Sequence, residues 1–150
     1  SLCMVTNCCP GPVDIYSFDL WIHDYAGESN PGLELIKREL KKFDFRGEPR
    51  FFPGDSRQTI PAFFRQPTNP QHIDLIFVDG DHSDEGARTD LLNVVDHVSV
   101  GGLLVFDDIT HPLYASLRGV WHDLMDQRTN FELRESTKHE YGWAIALRTS

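Results

Sequence analysis

The sequence predicts a doubly wound, mostly parallel α/β sheet with an antiparallel strand pair at its carboxyl end. Strand-length apolar runs alternate with segments of helical three-to-four spacing. Two of the runs, Leu75-Ile76-Phe77-Val78 and Leu103-Leu104-Val105-Phe106, are continuously apolar, as expected of parallel strands covered on both faces. Most of the strand-like runs stop at an acid. A chain of 150 residues suits one domain with a single core, so one domain over 1–150 is expected.

Ile15 to Trp21 is aromatic and branched, follows the Pro10-Gly11-Pro12 breaker, and reads as a strand with Asp19 near its end. A helix is predicted from Asn30 to Phe43, with Asn30 as cap, Pro31 at the first position, and Leu33, Ile36, Leu40 and Phe43 on one face. Arg50-Phe51-Phe52 is a short strand stopping at the turn residues Pro53-Gly54-Asp55-Ser56. Arg57 to Phe64 is expected to be a short helix broken by Pro61. Ile73 to Val78 is the strongest strand and runs into Asp79-Gly80-Asp81-His82. Ala87, Leu91, Val94 and Val95 then predict a helix from Ser83 or Asp84 to about Val98. Gly101-Gly102 should break the chain before the strand Leu103 to Phe106, which ends in Asp107-Asp108. A helix over roughly Leu113 to Gln127 precedes two strands, Phe131 to Ser136 and Gly142 to Arg148, close enough in sequence to pair antiparallel.

Fourteen Lys and Arg against twenty-three Asp and Glu leave a net charge of −9, which repels phosphate backbones and anionic lipid. Neither nucleic acid nor a membrane surface is an expected partner, and no apolar run approaches the ~20 residues of a bilayer span. Cys3, Cys8 and Cys9 all fall in the first nine residues, too clustered to staple the chain and odd in number. Free thiols in a reducing, cytoplasmic setting are expected. Zinc would need a fourth ligand, and the nearest histidine is His23.

In doubly wound sheets ligands gather beyond the carboxyl ends of the strands. Asp79 and the Asp107-Asp108 pair end two consecutive apolar strands separated by one strand-helix-strand unit, which brings three carboxylates together. A hard divalent cation with oxygen ligands, Mg²⁺, Mn²⁺ or Ca²⁺, resolves their mutual repulsion. The plainer alternative is that Asp81 or Asp84 caps the following helix and Asp107-Asp108 forms a solvated turn. His82, three residues after Asp79, stands where a base would, and its ordinary pKa of about 6.5 suits proton transfer at neutral pH. His111-Pro112 enters the same crevice. Asp19 lies where nucleotide-binding folds place an acid for ribose hydroxyls, although no G-x-G-x-x-G or Walker loop precedes it.

Taken in order, Tyr16-Ser17-Phe18-Asp19-Leu20-Trp21, Gly54-Asp55-Ser56, Asp74 to His82, and Gly101-Gly102-Leu103-Leu104-Val105-Phe106-Asp107-Asp108 resemble class I S-adenosylmethionine-dependent methyltransferases. The branch is that of macrocin-type sugar O-methyltransferases and cephalosporin-hydroxylase-like proteins. The resemblance covers most of residues 13–148. It implies a Rossmann-like sheet, with Asp19 on the cofactor's ribose and Asp55 with Ser56 against its adenine. It further implies Mg²⁺ at Asp79, Asp107 and Asp108, with Asp79 also beside the cofactor, and His82 as general base. The expected activity is O-methylation of a small-molecule or sugar hydroxyl. Family members carry another strand, a glycine-bearing loop and a helix before the ribose-binding acid. Only eighteen residues precede Asp19 here, so the expectation is a domain trimmed at its start, or one in which Ser1 to Cys9 supplies a makeshift strand. Weak cofactor binding and association into homo-oligomers through open strand edges are expected with it.

Two other enzyme classes share fragments of the pattern. Asp79-Gly80-Asp81 matches the Asp-x-Asp with which metal-dependent glycosyltransferases hold a nucleotide sugar, but with a short region ahead of it. Haloacid-dehalogenase-type phosphatases need a lysine between their acids, and none occurs between Lys42 and Lys138. A non-catalytic, degenerate methyltransferase domain is the third alternative.

Overall fold

The computed structural model describes residues 11–21, 24–25, 28–29, 32–42, 49–138 and 141–150. The expected strand at Ser1 to Cys9, the three cysteines, His23, His139, the Asn30-Pro31 cap and Phe43 lie outside them. Two compact units divide the chain, residues 1–59 and 60–150.

The first unit holds β1 (Ile15–Asp19), β2 (Asp24–Tyr25), β3 (Glu28–Ser29), α1 (Gly32–Leu40) and β4 (Pro49–Pro53). Strands β1 and β4 pair in parallel from Ile15 opposite Pro49 to Asp19 opposite Pro53, and β2 with β3 forms a small antiparallel ladder. The β1–β4 pair is zipped by aromatic side chains, with Phe18 stacked on Phe52 at 4.8 Å. Strand β1 ends at Asp19 rather than at Trp21, because Trp21 turns into the left-handed region (φ +53°). Its amide donates to Asp19 Oδ1 at 3.0 Å and its ring meets Phe51 edge-on.

Helix α2 (Ser56–Phe64) is not broken by Pro61. The proline removes one backbone donor, but the burial of Ile60 and Phe63 offsets it, and Arg65 still donates to the Pro61 carbonyl at 3.1 Å.

The second unit continues through β5 (Ile73–Val78), α3 (Asp84–Val94), a 3₁₀ turn (Val95–His97), β6 (Val98–Asp107), α4 (Leu117–Met125), β7 (Phe131–Ser136) and β8 (Trp143–Arg148). Its sheet has the order β5-β6-β8-β7, with β5 and β6 parallel and both other pairs antiparallel. The parallel strands and the antiparallel closing pair match the sequence expectation, and β8 adds a second antiparallel contact by inserting beside β6.

Several boundaries differ for local reasons. Gly101-Gly102 does not end an element: β6 passes through it as a bulge, the register shifting from Ile73 opposite Val98 to Leu75 opposite Leu103. Gly101 takes φ +81°, and at Gly102 a methyl would stand 2.8 Å from the Asp74 carbonyl oxygen and 2.9 Å from that of Ser99. Both obstacles are backbone, so Gly102→Ala is expected to cost about 1–3 kcal/mol, read as a drop of several degrees in Tm by thermal denaturation. An unchanged Tm would mean the strands part at no cost. Helix α4 starts at Leu117, after consecutive turns in which His111, Tyr114 and Leu117 donate to the carbonyls of Asp108, His111 and Tyr114.

The sheet of this unit is two-faced. Val78, Leu104, Phe106, Ala144 and Ala146 are buried on one side, which carries the core, with Trp121 of α4 stacked against Phe106. Leu75 and Phe77, which face the other way, remain 39% and 54% exposed. The apolar run of β5 is therefore not covered on both faces, contrary to the expectation drawn from its composition.

Candidate active site

Parallel pairing of β5 and β6, with Val78 opposite Phe106, puts the residues that follow them at one end of the sheet. Asp79, His82 and Asp108 converge there, each offering a ligand atom within 4.8 Å of the others. His82 Nε2 lies 3.2 Å from Asp108 Oδ2 and 3.7 Å from Asp79 Oδ1. The nitrogen is shielded from solvent and makes no hydrogen bond to either carboxylate, Asp79 lying beyond hydrogen-bond reach. Partial burial pushes the Asp79 carboxyl above its ordinary range, and the charges of Asp107 and Asp108 push it further, against the opposing pull of His82.

Backbone conformation aims these side chains. Asp108 is left-handed (φ +61°), an uncommon state for a residue with a side chain, and so turns its carboxylate away from the direction of β6 and toward His82. Asp107 does not join the cluster of three; its Oδ1 accepts the Asp108 amide at 3.0 Å, while its charge still reaches Asp79. Asp81 accepts the Ser83 amide at 2.9 Å and packs directly on Gly86, whose missing side chain makes room for it. Ser83 caps α3 by accepting the Gly86 amide. The plainer expectation that Asp81 or Asp84 caps this helix does not hold, since the cap is Ser83; Asp81 instead holds the Ser83 amide just ahead of the helix start.

An aromatic wall adjoins the cluster. The His82 ring lies 4.8 Å from Tyr114, the His111 ring 4.8 Å from Tyr114 and 4.1 Å from Tyr141. His111 was legible in the sequence because it follows the acidic pair. Tyr114 could have been found from its place one turn on in the same loop. Tyr141 had no local signal: it arrives from the β7–β8 connection, where its carbonyl accepts the Thr110 amide.

In the first unit, Asp19 and Gly54 sit at the carboxyl end of the β1–β4 pair, joined by a hydrogen bond from the Gly54 amide to the Asp19 carbonyl. Asp55 caps α2 through the Arg57 amide, and the Arg57 guanidinium grips the same carboxylate at 2.7 Å, holding its pKa below the usual range. Ser56 opens the helix. Sequence reasoning missed Arg57, which any group approaching Asp55 must share.

The carboxylates of Asp79 and Asp108, with the His82 imidazole beside them, suit a hard divalent cation, and Asp107 could join them by releasing the amide it caps.

Comparison with known proteins identifies the family. A family model described as a methyltransferase domain matches residues 1–109. No curated protein sequence matches the chain. Among solved structures, it resembles CalS11, a TDP-rhamnose 3′-O-methyltransferase of calicheamicin biosynthesis, with TM-score 0.60 and 19% identity over 90% of this chain and 58% of that one. MycE, a methyltransferase of the mycinamycin pathway solved with Mg, SAH and mycinamycin VI, gives 0.60 and 19% over 97% and 47%. The O-methyltransferase NovP gives 0.61 and 21% over 96% and 62%. The chain thus spans between about half and three-fifths of the length of these structures. With its α/β fold, its paired acidic strand ends and a match over more than two-thirds of its length, the chain belongs to the methyltransferase-domain family.

Proposed function

We propose that this chain is a partial methyltransferase domain that transfers the methyl group of S-adenosylmethionine to a hydroxyl of a small molecule, a sugar among the candidates, with a divalent cation, Mg²⁺ or Mn²⁺, in attendance. The observation that carries the reading is the convergence of Asp79, His82 and Asp108 at the ends of adjacent parallel strands. Magnesium in the MycE complex and the sugar acceptor of CalS11 support it by analogy.

In this reading Asp79, Asp107 and Asp108 hold the cation. Asp19 accepts hydrogen bonds from the cofactor's ribose, and Asp55 with Ser56 lies against its adenine. When bound, the cation and cofactor supply a clamp that acidifies the acceptor hydroxyl and the electrophilic methyl group. His82 accepts the hydroxyl proton as the oxygen–carbon bond forms and the carbon–sulfur bond breaks, and the flanking carboxylates face the imidazolium that results. Tyr114, His111 and Tyr141 give the acceptor an aromatic surface on which to pack.

The test is methyl transfer from labelled S-adenosylmethionine to a set of vicinal-diol acceptors, with Mg²⁺ and with a chelator. Metal-dependent transfer supports the reading. Saturable binding of a nucleotide sugar without binding of S-adenosylmethionine would replace it. For the metal arm, Asp108→Asn keeps a side chain that tolerates left-handed backbone while removing the charge. It is expected to weaken Mn²⁺ binding at least about tenfold by calorimetry. Equal affinity would remove Asp108 from the ligand set.

A further inference from the structure

Asp90 is the charged residue most deeply enclosed among the described residues, at 5% exposure. It occupies the core stripe of α3, between Ala87 and Leu91 and one turn before Val94, where the helical period calls for an apolar side chain. Burying a carboxylate is costly unless the surroundings hold it in place, so an acid in that stripe signals a specific task.

Its neighbour identifies the task. A side-chain carbon at Gly80 would stand 2.9 Å from Asp90 Oδ2, so the Asp79–His82 loop lies with its glycine directly over the buried carboxylate. On the far side of the same loop, Asp81 sits on Gly86 of α3. The loop is therefore seated on one helix at two points, each a carboxylate against a glycine. Asp79, which precedes Gly80, and His82, two residues after it, carry the ligand atoms that meet Asp108.

We propose that Asp90 is a positioning residue: its buried carboxylate seats the Asp79–His82 loop on α3 so that Asp79 and His82 reach Asp108. It touches neither cofactor nor acceptor and acts through the loop alone. The Mn²⁺ readout below rests on the metal reading of this site; the exchange readout does not.

The experiment compares the native chain with Asp90→Asn, which keeps size and shape but replaces an acceptor oxygen with a donor. Amide hydrogen exchange is followed by mass spectrometry without metal, and Mn²⁺ affinity by calorimetry. Faster exchange confined to residues 79–83, with the β6 and α4 amides unchanged, is the expected result, together with a 10- to 100-fold loss of Mn²⁺ affinity. Unchanged exchange in a folded Asp90→Asn protein overturns the proposal, and so does a uniform rise across the unit, which would mark Asp90 as a stability residue only. If Asp90→Asn does not fold, Gly80→Ala leaves every core side chain in place, forces a methyl against Oδ2, and is read by the same local-versus-uniform criterion. Failure of the native protein to bind Mn²⁺ would sink the metal reading, while the exchange pattern would still decide the role of Asp90.

Discussion

Replacing His82 by alanine is expected to slow methyl transfer by roughly 10²–10⁴-fold. The size of the effect follows from the company the ring keeps. Asp79 and Asp108 flank its Nε2 and are weaker bases than imidazole, so neither takes over the proton efficiently. Both carboxylates remain in the variant, and so does the first unit with Asp19 and Asp55. Affinity for S-adenosylmethionine is therefore expected to stay nearly intact. The measurement is a single-turnover rate across pH, which separates chemistry from binding and product release. A variant with native rate and an unaltered pH profile would refute the role of His82 as base.

The second large effect is on stability. Trp121 is fully enclosed, the largest such side chain among the described residues, and stacks on Phe106 at 6.0 Å with its ring nearly parallel. Truncation to alanine is expected to cost about 3–5 kcal/mol, a large share of the ~5–15 kcal/mol that holds a domain together. Urea denaturation should show a lower midpoint at an unchanged slope, and Trp121→Phe should recover most of the loss. Because Phe106 immediately precedes the acidic pair, the same packing anchors the strand from which Asp107 and Asp108 project. A cost below about 1 kcal/mol would mean that α4 does not clamp β6.

What could be read from the sequence follows the range of the forces involved. Strands β5 and β6, their order and the acids at their ends were legible because apolar runs and acid-glycine punctuation are local signals. The roles of neighbouring residues were not. Gly101-Gly102 carries the same letters whether it ends a strand or bulges it; the outcome was decided by the Asp74 and Ser99 carbonyls, which leave no room at Gly102. Pro61 signalled a break, but burial of Ile60 and Phe63 outweighed one lost donor. Asp107 and Asp108 look equivalent in sequence, yet left-handed backbone at Asp108 sends one carboxylate to His82 and leaves the other capping an amide. Tyr141 reaches the site from a distant connection, and Asp90 was passed over because an acid in an apolar stripe is invisible to a count of apolar positions.

The position of β8 between β6 and β7 bears on how the molecule is made. As the chain leaves the ribosome, β5 and β6 can meet early, but the inner edge of β6 waits until residues 143–147 emerge. Strand β7 appears before β8 yet has no place in the sheet without it. The sheet therefore cannot grow strand by strand along the nascent chain; it closes in one late event that joins segments about forty residues apart, from Leu103 opposite Leu147 to Asp107 opposite Trp143. Until then the edge of β6 stays open to foreign strands, which makes the interval before β8 arrives the period when synthesis is most exposed to aggregation.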